Sequence, residues 1–139
     1  MSRKLLVIDN HRDVADLVAD VARPLDYEVR IVADSRQAAR EFISFAPDLV
    51  ILDVVMQGVD GIDVLSSLIV SGLRALIVLT ASVGVGEAYL RIAQGVARFN
   101  GLEPLPVLSK PLDAARLRDV LAHIPPPADR GAPQVRRRP

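Results

Sequence analysis

The chain has 139 residues, no cysteine, two histidines, and seventeen basic residues against seventeen acidic ones. That length suits one domain with a real core, and the missing thiols exclude a disulfide scaffold, a cysteine-ligated metal and thiol chemistry. Residues 1–124 hold 13 basic and 16 acidic residues, because Arg130, Arg136, Arg137 and Arg138 face only Asp129 in the remainder; a body so balanced is not built to bind nucleic acid.

The first apolar run is Leu5–Ile8, strand-like by its length, and Val14, Leu17, Val18, Val21 and Leu25 then recur at helical spacing. Val29–Val32 reads as a second strand, and Ser35 as the cap of a helix that carries Ala38, Ala39, Phe42 and Phe45 and stops at Pro47. Leu49–Leu52 is a third strand, followed by Ile62, Leu65, Leu68 and Ile69 at helical spacing up to Gly72. Ala75–Leu79 is a fourth strand. Tyr89, Ile92, Val96 and Phe99 mark a fourth helix closed by Asn100-Gly101, a helix-stop pair. Leu105–Leu108 reads as a fifth strand, and Asp113 as the cap of a last helix whose inner stripe is Leu117, Val120, Leu121 and Ile124. The three consecutive prolines from Pro125 cannot continue a helix, so 125–139 reads as a Pro/Arg-rich disordered tail.

Five strand–helix units with unalternating apolar strands indicate an α/β domain over 1–124: a doubly wound parallel sheet with helices on both faces. The apolar runs are too short to span a bilayer and the N-terminus lacks a signal-peptide stretch, so a cytoplasmic location is expected.

In such sheets ligands gather at the carboxyl ends of the strands. Asp9 and Asn10 follow the first strand, Asp53 the third, Thr80 the fourth, and Lys110 the fifth. Two carboxylates and an amide oxygen can hold a hard cation such as Mg²⁺. A carboxylate can attack phosphorus, and an ammonium and a hydroxyl can stabilise the charge spread over phosphoryl oxygens. Lysine is scarce, with Lys4 and Lys110 against fifteen arginines, so the ammonium at Lys110 goes against the chain's own bias. His11 reads as a solvated helix-start residue and not as a ligand.

The ordered segments Leu6-Val7-Ile8-Asp9-Asn10, Pro47–Asp53, Gly58-Val59-Asp60-Gly61, Val78-Leu79-Thr80-Ala81 and Ser109-Lys110-Pro111 resemble the response-regulator receiver domain, the CheY-like superfamily of two-component signalling. The resemblance supplies the flavodoxin-like strand order 2-1-3-4-5. It implies that Asp53 is the phosphoacceptor, that Asp9 and the residue at position 10 help Asp53 and the Val55 carbonyl to hold Mg²⁺, and that Thr80 and Lys110 contact the phosphoryl group. It implies a histidine kinase or histidine phosphotransfer protein as donor and an output protein as partner. It also allows a homodimer through the face of the fourth and fifth strands. No DNA-binding domain fits in the last fifteen residues, so a stand-alone receiver that is not a turnover enzyme is expected.

The sequence departs from the family at four places. Asn10 stands where a second acid is usual, and Val107 where an aromatic switch residue is usual. Ser82–Pro106 is longer than in a compact receiver, which predicts a longer fourth helix or following loop, and Gln57 replaces a proline. Asn10 and Val107 motivate a competing reading, a pseudo-receiver that binds a partner without phosphorylation. An aspartate-nucleophile phosphohydrolase is disfavoured because Val55 stands where such enzymes place a general acid.

Overall fold

The computed structural model describes residues 2–56, 59–72, 75–82, 84–102 and 107–124. The expected tail, and the expectations resting on Gln57, Gly58, Leu105 and Pro106, lie outside the described residues.

Five parallel strands form the main sheet: β1 (Arg3–Ile8), β2 (Tyr27–Val32), β3 (Leu49–Asp53), β6 (Leu76–Ser82) and β7 (Leu108–Lys110), in the order β2-β1-β3-β6-β7. Counting only these strands, this is the expected 2-1-3-4-5 arrangement. Between β3 and β6 a short antiparallel ladder intervenes, β4 (Val55–Met56) with β5 (Val59–Asp60), which the sequence pattern does not announce. β3 is buried along its whole length because it is hydrogen-bonded to β1 on one edge and β6 on the other. That position is why Leu49–Leu52 is apolar without alternation.

The alternation of side chains along each strand divides the core in two. Leu6, Ile8, Val50, Leu52, Ile77 and Leu79 face α2 (Ala38–Phe45), α3 (Gly61–Val70) and α4 (Val85–Phe99). Leu5, Val7, Leu49, Ile51, Val78 and Leu108 face α1 (Arg12–Ala22) and α5 (Ala114–Ala122).

Several expected boundaries move. The second helix is capped by Asp34 and not by Ser35. The Asp34 carboxylate accepts the Arg36 N–H at 3.0 Å and opens a 3₁₀ turn, Ser35–Gln37, ahead of α2. That helix ends with Ala46 in the left-handed region (φ 51°), one residue before Pro47. The fifth strand extends past the expected end at Leu108, over Leu108–Lys110, so that Lys110 belongs to the strand. Asp53 and Thr80 likewise lie within β3 and β6, paired with each other in register. The ladder hydrogen bonds of a neighbouring strand outweigh the end of the apolar run in fixing where a strand stops.

α4 is fifteen residues long, in keeping with the extra length before the fifth strand. Its first turn is held by Glu87, whose carboxylate accepts the Gly84 N–H at 3.2 Å. Its end is the expected Asn100-Gly101 stop. Gly101 has φ 78°, Leu102 N–H donates to the Ala97 carbonyl at 2.9 Å and Gly101 N–H to Arg98 at 3.0 Å, the paired bonds of a Schellman closure. Asp113 caps α5 as expected, accepting from Ala115 N–H at 3.1 Å.

Candidate functional site

The site is a continuation of one sheet face. Leu5 and Val7 point toward α1 and α5, and Asp9 follows in the same alternation; Leu49 and Ile51 lead in the same way to Asp53, Val78 to Thr80, and Leu108 to Lys110. Four neighbouring strands thus turn polar at the same edge of the same face. All four side chains are buried: Asp53 and Thr80 are 1 % exposed, Asp9 3 % and Lys110 9 %.

Buried charge must be paired, and Lys110 does the pairing. Its Nζ lies 2.8 Å from Asp53 Oδ2 and 2.8 Å from Asp9 Oδ2. The other Asp53 oxygen accepts the Val55 N–H at 3.0 Å. The two effects on Asp53 oppose each other. Burial pushes its carboxyl above the ordinary value and the Asp9 charge adds to the rise, while the Lys110 and Val55 hydrogen bonds offset only part of it. Burial works to lower the Lys110 ammonium, but its hydrogen bonds to Asp53 and Asp9 win and hold it above its ordinary value.

Thr80 is different. Its Oγ1 is buried with no hydrogen-bond partner among the described residues, and its main chain is engaged, the Thr80 carbonyl accepting Val54 N–H at 3.0 Å. A buried hydroxyl without a partner costs about 1–3 kcal/mol, and a residue paired with Asp53 is well placed for a ligand oxygen there.

Gly61 locks the turn that carries Asp53. Its N–H donates to the Val54 carbonyl at 3.1 Å. A Cβ at this position would stand 2.4 Å from Val54 Cα and 2.6 Å from the Asp53 carbonyl oxygen. Only glycine allows α3 to start this close to the end of β3.

The structure therefore brings Asp9, Asp53, Thr80 and Lys110 together. Val55 is beside them, joined to Asp53 through its N–H, and Asn10 occupies the exposed bend between β1 and α1. Val107 is half-buried just before β7. His11, expected as a solvated helix-start residue near the site, stands there as the N-cap of α1. Its ring is 52 % exposed, yet Nδ1 turns inward to 3.0 Å from Asp9 Oδ1, 3.6 Å from Asp53 Oδ2 and 3.3 Å from Lys110 Nζ. Asp9, His11 and Asp53 offer one ligand atom each, all within 4.8 Å of one another.

The family described as the response regulator receiver domain matches residues 5–122. The chain is a response-regulator receiver domain. It is 28 % identical over 95 residues to the DNA-binding response regulator MtrA of Mycobacterium tuberculosis, covering 68 % of this chain and 42 % of that protein. It is 28 % identical over 102 residues to a protein-glutamate methylesterase/protein-glutamine glutaminase of Burkholderia thailandensis, covering 73 % of this chain and 30 % of that one. Among solved structures, NtrX of Brucella abortus superposes with a TM-score of 0.70 at 28 % identity, over 86 % of this chain and 26 % of that one. The receiver thus spans less than half the length of these relatives. Its relatives include response regulators, and the matched family is that of their receiver domains. No helix among the described residues is long and apolar enough to cross a membrane.

The donor set fits a divalent cation and a phosphoryl group. Two buried carboxylates already converge on one cation, the Lys110 ammonium, and the Thr80 hydroxyl is a buried donor without an acceptor.

Proposed function

We infer that this receiver accepts a phosphoryl group on Asp53 from the phosphohistidine of a histidine kinase or phosphotransfer protein, and signals through protein–protein contact in the cytoplasm. An Asp53 oxygen forms the bond to phosphorus as the bond from phosphorus to the donor's imidazole nitrogen breaks. The bonding pair leaves with that nitrogen, and because the ring is protonated on its other nitrogen the histidine departs neutral. The product is an aspartyl phosphate on the protein itself, so no external substrate is turned over.

Asp9, Asp53, the Asn10 side chain and the Val55 carbonyl would hold Mg²⁺, which supplies positive charge against the phosphoryl oxygens when bound. Lys110 supports the same charge from its seat between the carboxylates. Thr80 Oγ1 donates to a phosphoryl oxygen, which gives its unpartnered hydroxyl an acceptor. That hydroxyl, buried and in register with Asp53, is the observation that carries the reading. Its movement toward the phosphoryl group biases β6 and the adjoining α4 and β7, and an output protein, or a second copy of the receiver, reads that face.

The test is intact mass after incubation with Mg²⁺ and acetyl phosphate. One phosphoryl adduct on the wild type, absent from Asp53→Ala, is the expected result. Absence of an adduct at high Mg²⁺ overturns it in favour of the pseudo-receiver that binds a partner unphosphorylated. The uncharged Asn10 on the exposed bend is the feature that favours that second reading.

A further inference from the structure

The His11 ring nitrogen is caught between incompatible neighbours. If Nδ1 carries a proton it can donate to Asp9 Oδ1 at 3.0 Å, but it then faces the Lys110 ammonium, another donor, at 3.3 Å. If Nδ1 carries a lone pair it can accept from Lys110, but it then opposes the lone pairs of a carboxylate oxygen at 3.0 Å. No assignment of the single ring proton satisfies both contacts. The conflict disappears when all the facing atoms are acceptors around one cation. The ammonium already shows that geometry in outline, with Asp9 Oδ2 and Asp53 Oδ2 each 2.8 Å from Nζ and His11 Nδ1 at 3.3 Å. The Asp9 carboxylate is also held against the His11 main chain, since the His11 N–H donates to the same Asp9 Oδ1 at 2.9 Å and His11 opens α1 as its N-cap.

We propose that His11 Nδ1 is a third side-chain ligand, with Asp9 and Asp53, for a divalent ion, and that it turns the site from Mg²⁺ toward first-row transition dications. The inference rests on the metal part of the function proposed above and deepens it. Mg²⁺ takes oxygen ligands and keeps its waters, whereas imidazole suits the later first-row dications such as Ni²⁺ and Zn²⁺, with Mn²⁺ the weakest binder of that series and its spectroscopic probe. A site whose second acid is replaced by the neutral Asn10 has lost oxygen charge, which is what Mg²⁺ binding uses most. A nitrogen donor from His11 restores a strong ligand only for ions that gain from nitrogen.

The experiment titrates the whole protein with Mn²⁺, followed by loss of the free-ion electron paramagnetic resonance signal, in competition with Mg²⁺. Electron spin-echo modulation of the bound Mn²⁺ then reads a coordinated imidazole nitrogen directly. The wild type is expected to bind Mn²⁺ more tightly than Mg²⁺ and to show imidazole modulation. His11→Gln should lose the modulation and bring the two affinities close together, while His123→Gln should change neither. Far-UV circular dichroism checks the fold of each variant, and the wild-type modulation needs no variant to be informative. Mn²⁺ bound without imidazole modulation, or a preference unchanged in His11→Gln, overturns the inference and leaves the proposed function intact. Failure of the wild type to bind either ion overturns the inference and removes the metal from the proposed function as well, which the phosphoryl adduct measurement then judges separately.

Discussion

Asp53 is a carboxylate whose charge is held in a place that burial disfavours. Because its folded-state value is raised above the ordinary 3.8, the folded chain binds this proton more tightly than the unfolded chain does. The associated stability is fully present below the ordinary value and is lost as pH rises through the raised one. An asparagine is uncharged throughout. Asp53→Asn should therefore have a higher urea midpoint than wild type at neutral pH, with the gap closing on acidification; a gap that is constant, or of opposite sign, would show that Lys110 more than offsets the burial. A neighbouring prediction concerns Gly61. Its missing Cβ makes room for the Val54 Cα and the Asp53 carbonyl, so Gly61→Ala should cost about 1–3 kcal/mol and slow phosphoryl uptake by shifting the Asp53 backbone. Gly95 is the control. Nothing lies within 4 Å of a Cβ there, and Gly95→Ala in mid-helix should stabilise by about 0.5–1 kcal/mol. At this scale the sequence shows the strand-end charges, because Asp53 and Lys110 break apolar runs, but it does not show His11. A half-exposed histidine at a helix start has no distinguishing pattern, and only the fold of the β1–α1 turn shows where its ring points.

Elements were legible where their own side chains decide them and displaced where a neighbour decides them. α4 is a clear case of the first kind: Asn100 and Gly101 stop it in sequence and in structure. β7 is of the second kind, because its pairing with β6 sets its extent, from Thr80 opposite Leu108 to Ser82 opposite Lys110. The β4–β5 ladder follows from the tight turn into α3, which no hydrophobic period encodes. α4 also shows how small residues set an element's height above the sheet. Ala93 and Ala97, four apart on one face, are both fully buried, while Phe99 on the outer face is 91 % exposed. Ala93 belongs to the core on that side of the sheet, and Leu90, Val96 and Leu102 pack against the same core, so a small residue there lets the helix backbone approach closely. Ala93→Leu should lift α4 from its neighbours and cost about 1–3 kcal/mol in denaturant unfolding. The outward-facing Phe99→Leu should stay within about 0.5 kcal/mol of wild type. Equal costs at the two positions would mean that α4 does not sit on the core through Ala93.

On the scale of the molecule, one sheet separates two apolar layers, and the site sits where the layer under α1 and α5 runs out at the strand ends. That division was implicit in the order of residues, since each strand sends alternate side chains to opposite faces. What the chain order alone left open is which helices share a face. The crossovers place α1 with α5, while α2, α3 and α4 cover the other side. The two layers share the strands of the sheet, so their independence can be measured. Leu65 on α3 and Leu117 on α5 are both fully buried, one in each layer. Truncating either to alanine removes a buried side chain and leaves a cavity, at a cost of about 2–5 kcal/mol. If β3, buried on both faces, makes the sheet one cooperative body, each variant should unfold in a single transition. The slope against urea should match the wild type, and far-UV circular dichroism should coincide with tyrosine fluorescence. Tyr27 sits in the layer of Leu117, its hydroxyl donating to the Leu121 carbonyl at 2.8 Å, so in a Tyr89→Phe background, which removes the second tyrosine of the chain, its fluorescence reports that side locally. Two separated transitions in Leu117→Ala, with the fluorescence change first, would instead show that the α1–α5 layer opens by itself. In that case Asp9, Asp53, Thr80 and Lys110, which continue the same face, would lose their support before the sheet unfolds.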